Sequence, residues 1–551
     1  MIYIRQFIGS LSAIGLILGL VFFCISLTPS LLPRNFLVQG ILSGIVFIAG
    51  YIIGRSGHWL WRFMELKELT GRPAKISIGG LISSLIIVAV FVLTQMIVWQ
   101  NSIRLRMEMV PIETAYPLRL SCIAILTALT IILLLRLFRF TAKKSIHIIN
   151  RYLPRRIAIV VGCAAVVMLL LSFVDGVIIK GAMNTMDESF ATLNRLLDSE
   201  YKQPESENAS GSKLSLISWS EIGRNGKKYV ADGPSKEEIS AVTGQKALQP
   251  IRVYAGYDSG KTLEDRAQIA LEELRRVNGF KRSTLIIATS TGTGWLDPSA
   301  VDTVEYIHGG NIATVSLQYS YLPSWLTLLV EPEAAIEAAN ALFNAIYGYW
   351  TKLPSETRPK LYLYGLSLGA LGSADALDLL AILSDPIDGA LWSGPPFLSR
   401  RWNDLTRNRT PDSPEWRPIY GDSSVVRFAT QGGFPELNNA EWGSFRIVYL
   451  QHASDPMSFF SSRLAYTKPD WLGPNRGPDV SPYLRWFPIV SSLQMAFDIP
   501  MATTVPLGYG HNFAPAAYID AWIEVTQPKN WDKADTKKLK AHFINFNPSP
   551  T

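Results

Sequence analysis

Cysteine is nearly absent from this sequence, and the few cysteines lie in its first third. Only Cys24, Cys122 and Cys163 occur among 551 residues. The C-terminal two-thirds can therefore hold neither a disulfide framework nor a cysteine-based zinc site. A long cysteine-free stretch also suits an oxidising compartment, where a stray thiol would be a liability.

Charge is scarce as well. Charged residues make up 18% of the chain and hydrophobic residues 48%, whereas an ordinary soluble domain is about 25% charged. This composition excludes a disordered chain, a coiled coil and a small disulfide scaffold. It indicates a membrane protein if the apolar residues are segregated along the chain. The formal net charge of +7 could indicate nucleic-acid binding, and the positions of the basic residues decide whether it does.

The apolar residues are segregated into five runs that reach the roughly 20 residues needed to cross a bilayer. The runs cover about residues 7–27, 36–54, 76–99, 118–138 and 157–179. No small-residue cleavage site follows the first run, so we interpret it as a retained helix and not a signal peptide. No run carries an acidic residue at its centre, which argues against an ion pathway. The second run is rich in small residues, which predicts a helix-packing face; these are Gly40, Ser43, Gly44, Gly50 and Gly54.

Lysine and arginine are distributed unevenly between the two sides of these runs. Thirteen lie at the N-terminus, between runs two and three, and around the junction of runs four and five, against five on the other side. Since basic loops stay in the cytoplasm, the N-terminus is predicted to be inside and everything after residue 179 outside. The positive charge is thus a topology signal, and we expect no nucleic-acid partner.

Residues 181–248 separate the membrane part from a different kind of sequence. Met183, Met186, Phe190, Leu193 and Leu197 recur at helical spacing, which predicts an amphipathic helix near the membrane surface. Residues 203–212 are polar and predict a flexible linker. The predicted organisation is a transmembrane helical domain (1–180), an amphipathic helix with linker (181–248) and a catalytic domain (249–551).

From residue 250 onward, short β-rich runs alternate with helical segments, the pattern of a parallel sheet with crossover helices. Strands are predicted over 251–254, 283–289, 312–318, 360–364, 389–392 and 445–450, with a last strand near 503–506. A helix should begin at Thr262, because Asp265 three residues later completes a capping box.

The strand over 360–364 runs into Gly365-Leu366-Ser367-Leu368-Gly369 and then into a predicted helix over 370–383. This is G-x-S-x-G between a strand and a helix, the context in which a sharp turn exposes a nucleophilic serine above the sheet. Ser367 is therefore the candidate nucleophile.

A nucleophilic serine needs a base, and the base needs a carboxylate, in the chain order Ser, Asp or Glu, His. His511 lies in a glycine-flanked loop after the predicted last strand, so it is the candidate base. Asp455 follows the penultimate strand and is the candidate acid, with Asp498 as the runner-up. His452, at a strand end, and His542, in the C-terminal tail, are less favoured as site residues.

An oxyanion hole needs two backbone N–H groups, one following the nucleophile and one from an earlier loop. Leu368 supplies the first. The second is expected from Ser290 or Thr291, at the start of a turn rich in glycine and threonine. A phosphate loop would need a lysine that this turn lacks. The chemistry requires neither a metal nor an organic cofactor.

Several motifs make the chain resemble the bacterial membrane-anchored α/β-hydrolase family with a multi-span N-terminal domain, over nearly its whole length. Besides the Ser367 motif, they are SLTPSLLPR (26–34), TGTGW (291–295), QYSYLPSW (318–325), WSGPP (392–396) and QHASDP (451–456). The resemblance implies a serine hydrolase at the outer face of the cytoplasmic membrane, and some members are linked to removal of amino acids from aminoacyl-phosphatidylglycerol. Leu366 stands where relatives often have a polar residue, which affects the pocket and not the nucleophile.

The expected architecture is an N-terminal all-α transmembrane bundle of about five spans followed by an α/β-hydrolase fold with a mostly parallel sheet. The expected function is ester cleavage through Ser367, His511 and Asp455, with an ester-bearing membrane lipid as substrate and the bilayer as its surroundings. A transacylase acting on envelope lipids and a non-catalytic envelope scaffold remain alternatives. The natural substrate and the oligomeric state stay open.

Overall fold

The computed structural model describes residues 11–68, 71–112, 115–157, 160–162, 164, 168, 201–378, 382–436 and 440–546. The chain divides into two compact units. The first unit comprises Met1–Thr185, Phe460–Leu472 and Pro478–Met501, and the second comprises Met186–Phe459, Gly473–Gly477 and Ala502–Thr551. The first unit therefore contains two segments from the C-terminal third of the chain as well as the N-terminal helices.

The described helices are numbered in chain order. They are α1 (Ala13–Ser26), α2 (Phe36–Phe63), α3 (Gly71–Arg106), α4 (Tyr116–Ile149), α5 (Gly223–Ala231), α6 (Lys236–Thr243), α7 (Leu263–Arg276), α8 (Pro298–Ile307), α9 (Ser324–Val330), α10 (Glu333–Trp350), α11 (Leu368–Ala376), α12 (Arg400–Arg407), α13 (Pro456–Phe459), α14 (Val490–Asp498), α15 (Pro515–Thr526) and α16 (Lys533–His542).

The described strands form one sheet. They are β1 (Ile251–Ala255), β2 (Thr284–Thr289), β3 (Ile312–Leu317), β4 (Lys360–Leu366), β5 (Gly389–Ser393), β6 (Val426–Ala429) and β7 (Arg446–Leu450). Their order across the sheet is β1-β3-β2-β4-β5-β7-β6, and every neighbouring pair is parallel.

Apolar helices dominate the first unit. Among the described residues, α2, α3 and α4 are long and apolar enough to cross a membrane, and α1 is an apolar helix of 14 residues. These four helices correspond to the first four predicted runs, which supports membrane association. The fifth predicted run and the predicted amphipathic helix over 183–197 lie almost wholly outside the described residues.

The small residues of α2 form the predicted packing face. A Cβ added at Gly40 would lie 2.7 Å from the Ile123 side chain of α4, and one at Gly50 would lie 2.7 Å from the Leu18 carbonyl of α1. These distances are shorter than any real Cβ contact, so the helices approach closely only because no side chain intervenes. Ser43 is also buried and accepts a hydrogen bond from Ser26 at 2.9 Å.

The segment 478–501 is part of the first unit's core. Val490, at the start of α14, packs with Leu42 and Val46 of α2 in one buried cluster. Apolar residues from both segments surround this cluster: Phe22, Ile25, Phe487, Leu493 and Phe497. The helix α14 is therefore held by burial of apolar surface against the N-terminal helices.

The second unit is built on the parallel sheet. Every residue of its strands is buried except Lys360, as expected for strands covered on both faces. Six predicted strands match β1–β5 and β7 within two residues at each end, and α7 begins with the predicted capping box between Thr262 and Asp265. The predicted α/β-hydrolase architecture is thus confirmed.

One predicted strand is absent, one strand of the sheet was not predicted, and one predicted helix is too long. Residues 503–506 form a turn and not a strand, and the edge position beside β7 is taken by β6, which the sequence did not indicate. The helix after Ser367 ends at Ala376 and not at residue 383. Among the described residues, no strand lies between β7 and the loop that carries His511.

The predicted flexible linker is partly packed. Ser210 and Ser212 are 0% and 5% exposed, and Ser215 donates to Glu273 of α7 at 2.7 Å. Gln203 donates to the Gly211 carbonyl at 2.8 Å. These contacts hold the end of the segment, residues 210–215, on the second unit.

Candidate active site

Ser367 lies at a strained turn between β4 and α11. Its φ of +58° is in the left-handed region, which a serine seldom adopts. Two glycines make room for the turn: a Cβ on Gly365 would lie 2.2 Å from the Gly369 backbone, and one on Gly369 would lie 2.2 Å from the Thr289 carbonyl. The neighbouring strand stabilises this strained conformation, because the Ser367 N–H donates to the carbonyl of Ser393, at the end of β5, at 2.9 Å.

Asp455 and His511 lie within hydrogen-bond distance of each other. His511 Nδ1 is 2.7 Å from Asp455 Oδ2, and Asp455 is fully buried. The Met457 N–H donates to Asp455 Oδ1 at 2.8 Å, and Ser458 donates to Oδ2 at 3.3 Å. These bonds fix the carboxylate and favour a proton on Nδ1 of His511, which leaves Nε2 as the basic nitrogen.

The backbone beside His511 is clamped from both sides. The Gly510 N–H donates to Ser454 Oγ at 2.9 Å, and the Gly510 carbonyl lies 2.9 Å from His452 Nδ1. His452 also stacks on Phe513, with ring centroids 4.4 Å apart. The residues around Asp455 therefore position both the carboxylate and the loop of its partner. Sequence reasoning disfavoured His452 as a site residue and did not consider Ser454, although both lie in the QHASDP motif.

The backbone of residues 393 and 394 connects the serine to the histidine. Ser393 binds the Ser367 N–H through its carbonyl, and a Cβ on Gly394 would lie 2.5 Å from His511 Cε1. Ser367 Oγ and His511 Nε2 are both buried and have no hydrogen-bond partner among the described residues. Catalytic hydrogen bonds are often long in a ligand-free enzyme and shorten when substrate binds. The arrangement thus presents a hydroxyl and an imidazole nitrogen, both without a partner among the described residues, beyond the carboxyl ends of the central strands.

The candidate oxyanion loop lies against the serine turn. The close approach of Gly369 to Thr289 brings the start of this loop next to the first residues of α11. Leu368 is the first residue of α11, so its N–H has no intrahelical acceptor. The Thr291 N–H donates to the Trp295 carbonyl at 3.0 Å, and the Ser290 hydroxyl donates to the Leu317 carbonyl at 2.8 Å. Of the two expected donors, Ser290 is the one whose amide is not bound within its own turn.

The other candidate residues lie elsewhere. Asp498 binds Arg34 within the first unit, with Arg34 Nε 2.8 Å from its Oδ1. His542 contacts the ring of Tyr306, with centroids 5.2 Å apart. Neither residue forms a hydrogen bond or ion pair with His511 or Ser367 in the described part of the chain.

One carboxyl group near the candidate oxyanion loop has a strongly perturbed pKa. Asp297 is 3% exposed and caps α8, where its Oδ1 accepts from the Ser299 N–H at 2.9 Å. Burial raises the pKa of Asp297 to about 7, against an ordinary value of 3.8. No group of three or more histidine, cysteine or acidic residues able to hold a metal occurs among the residues that the structure describes.

Comparison with known protein families gives two matches that together cover most of the chain. A model described as "Alpha/beta-hydrolase family" matches residues 251–539, and a model described as "Alpha/beta-hydrolase family N-terminus" matches residues 27–234. No curated protein and no solved structure matches the chain. The first match contains the serine turn, the Asp455–His511 pair and the whole sheet, and the second contains α2, α3 and α4.

Proposed function

Because the chain belongs to the alpha/beta-hydrolase family, we propose that it is a membrane-anchored serine hydrolase that cleaves a carboxylic ester. The observation that carries this proposal is the 2.7 Å contact between His511 Nδ1 and Asp455 Oδ2. This contact leaves Nε2 free to act as the base for Ser367, whose N–H is bound to Ser393 next to Gly394, the residue that lies beside the His511 ring. The three residues occur in the chain order that this fold uses for its triad.

The reaction follows from the roles of these groups. Ser367 Oγ attacks the ester carbonyl carbon while His511 Nε2 takes the hydroxyl proton, and Asp455 stabilises the imidazolium that forms. The carbonyl oxygen becomes negatively charged and is bound by the N–H groups of Leu368 and Ser290. His511 then gives its proton to the leaving alcohol, and an acyl-enzyme remains on Ser367. Water deprotonated by His511 releases the acid and restores the serine.

Burial supports this chemistry. Asp455 is 0% exposed, His511 is 7% exposed and Ser367 is 2% exposed. Electrostatic interactions are stronger where water is excluded. The buried Asp455 carboxylate therefore stabilises the His511 imidazolium more strongly than it would in solution. The clamped Gly510 keeps the imidazole in place without a contribution from substrate.

The proposed substrate is an ester at the level of the lipid headgroups. Apolar helices α2, α3 and α4 support membrane association, and the thirteen-to-five distribution of basic residues favours a catalytic unit outside the cytoplasmic membrane. An aminoacyl-phosphatidylglycerol carries its ester at that level, and the sequence resemblance favours it. We therefore propose deacylation of an aminoacylated lipid at the outer face.

The proposal is tested with the full chain purified in detergent. Wild-type protein should hydrolyse a short-chain p-nitrophenyl ester, and it should release free amino acid from aminoacyl-phosphatidylglycerol in mixed micelles. Ser367→Ala should abolish both reactions, whereas Ser355→Ala, at an exposed position, should leave them unchanged. Hydrolysis that persists in Ser367→Ala would overturn the assignment of the nucleophile. Ester hydrolysis without amino-acid release would overturn the proposed lipid substrate and keep the enzyme class.

A further inference from the structure

The turn next to the expected oxyanion donor Ser290 is closed by two internal hydrogen bonds. The Thr291 N–H donates to the Trp295 carbonyl at 3.0 Å, and the Gly294 N–H donates to the Thr291 carbonyl at 2.9 Å. Gly294 has a φ of +79°, a conformation that glycine adopts without strain. Because Ser290 directly precedes this turn, a rotation of the turn would change the direction of the Ser290 N–H.

Two carbonyl groups of the turn are bound by side chains from other elements. The Nδ2 amide of Asn225 in α5 donates to the Thr293 carbonyl at 2.9 Å, and the hydroxyl of Tyr254 in β1 donates to the Gly294 carbonyl at 2.6 Å. Gln318, directly after β3, donates a longer bond of 3.3 Å to the Thr293 carbonyl. Tyr254 is fully buried, so removal of its hydroxyl would leave the carbonyl with an unmade hydrogen bond in the core.

The strand order shows the side from which these carbonyls are bound. The sheet begins β1-β3-β2-β4, the turn follows β2, and Ser367 follows β4. The donors from β1 and from the end of β3 therefore lie on the opposite side of β2 from the serine. A carbonyl bound from that side directs its oxygen away from the position where the substrate oxygen becomes negatively charged. Dipoles fixed in this way stabilise a transition state because they need no reorganisation during the reaction.

The helix α5, which carries Asn225, is held close to β1. A Cβ on Gly226 would lie 2.4 Å from Cδ1 of the Tyr254 ring, so the helix and the strand approach closely only because this side chain is missing. Arg252 of β1 also donates to the Tyr229 carbonyl of α5 at 2.6 Å. The helix, the strand and the turn all belong to the second unit. Asn225 thus reaches the turn from a fixed helix, within the region 181–248 that was predicted to be an amphipathic helix and a linker.

We propose that Asn225 and Tyr254 are positioning residues of the oxyanion hole, so that α5 is part of the active-site machinery. This inference rests on the proposed function, since it takes the Ser290 N–H as an oxyanion donor. Neither side chain touches the substrate or the reacting atoms; each acts by holding one carbonyl of the turn. Loss of either donor frees that carbonyl and lets the turn rotate.

The test removes each donor separately in the full chain. Tyr254→Phe removes one hydroxyl and keeps the ring, and Asn225→Ala removes the amide. Loss of an oxyanion donor itself costs about 10²–10³-fold in kcat, so each positioning variant should lower kcat for a p-nitrophenyl ester about 10- to 100-fold. KM should stay within twofold, because the oxyanion exists in the transition state and not in the bound ester. Rates are expressed per intact site, counted by end-point labelling with a fluorophosphonate.

A trifluoromethyl ketone inhibitor provides a second readout. Ser367 Oγ adds to its carbonyl carbon, the hydroxyl proton passes to His511, and the carbonyl oxygen becomes an oxyanion like that of the transition state. The affinity for this inhibitor should fall in both variants by the same factor as kcat/KM. A disturbance of folding alone would lower the number of intact sites and leave the affinity of each site unchanged.

Two matched controls remove equivalent hydrogen bonds elsewhere in the second unit. Tyr347→Phe removes a hydroxyl that donates to the Asp385 carbonyl at 2.9 Å. Asp385 precedes the amino end of β5, whereas Ser367 follows the carboxyl end of β4. Gln203→Ala removes an amide that donates to the Gly211 carbonyl at 2.8 Å. Both controls should keep kcat and inhibitor affinity within twofold of the wild type.

Wild-type kcat and inhibitor affinity in folded Tyr254→Phe or folded Asn225→Ala would overturn the inference, as would equal losses in the controls. If one variant fails to fold, the other decides. Absence of both labelling and turnover in the wild type would instead refute the proposed function, so the two failures are distinguishable.

Discussion

His511 Nδ1 and Asp455 Oδ2 lie 2.7 Å apart, and the two residues are 56 positions apart in the chain. The chain between them leaves the second unit after Phe459 and returns to it at Ala502, apart from Gly473–Gly477. Asp455 and His511 are therefore joined by a segment whose larger part packs with the N-terminal helices. A fragment that begins near residue 249 would expose that segment's apolar residues, so the predictions below concern the full chain.

The first prediction separates the two carboxylates. Asp455→Asn should lower turnover of a p-nitrophenyl ester by about 10⁴-fold, because an amide neither fixes the Nδ1–H tautomer nor stabilises an imidazolium. Asp498→Asn should lower it far less, since Asp498 binds Arg34 within the first unit and forms no hydrogen bond with His511 in the described part of the chain. Turnover is measured on folded protein, verified by size-exclusion chromatography. A larger loss in the Asp498 variant than in the Asp455 variant would transfer the acid role to Asp498.

A second prediction concerns the space beside the imidazole. In Gly394→Ala the new Cβ would lie 2.5 Å from His511 Cε1, so the ring has to move and turnover should fall about 100-fold or more. Gly421→Ala is the matched control, because Gly421 has nearly the same φ (+55° against +50°) and nothing lies within 4 Å of its Cβ position. Both variants carry similar backbone strain, of about 1–2 kcal/mol. Equal turnover in the two variants would show that Gly394 does not shape the site.

The structural features behind these two predictions were not equally predictable from the sequence. The serine turn was predictable because its signal is local: a buried strand, G-x-S-x-G and a helix follow one another directly. The loop of His511 was placed after a last strand at 503–506, and that strand is absent. The edge of the sheet is taken by β6, a strand of only four residues between two long connections, whose pairing with β7 is non-local. The Arg34–Asp498 pair left no signal in the sequence for the same reason, since no local pattern joins residues so far apart along the chain.

A third prediction follows from the pKa of Asp297, which burial raises to about 7. In the unfolded chain, Asp297 is protonated only below its ordinary pKa of 3.8. Between pH 3.8 and about 7, the native state therefore binds more protons than the unfolded state. The contribution of Asp297 to the free energy of unfolding is thus fully present below pH 3.8 and is lost as the pH rises to 7. Asp297→Asn keeps an oxygen for the Ser299 N–H and removes the titration. Melting temperatures from pH 4 to 8 should therefore fall less steeply in Asp297→Asn than in the wild type. The exposed-site control Asp412→Asn should follow the wild type, and identical slopes in all three proteins would contradict this assignment.

A fourth prediction concerns orientation. In a background with all three cysteines replaced by alanine, Ser355→Cys on the catalytic unit should react with a membrane-impermeant maleimide in intact spheroplasts. Leu66→Cys, in the basic loop between α2 and α3, should react only after permeabilisation. Both positions are exposed, so the two variants differ in side of the membrane and not in accessibility. The reverse pattern would overturn the outward orientation and the lipid substrate proposed from it.

The central claim is that Ser367 is a nucleophile activated by His511. It is tested most directly by treating the full chain with a fluorophosphonate and locating the modified residue by peptide mass spectrometry. We expect one phosphonate per chain on Ser367, no labelling in Ser367→Ala, and labelling slowed by about three or more orders of magnitude in His511→Ala. Labelling of another residue, or a normal rate in folded His511→Ala, would contradict it.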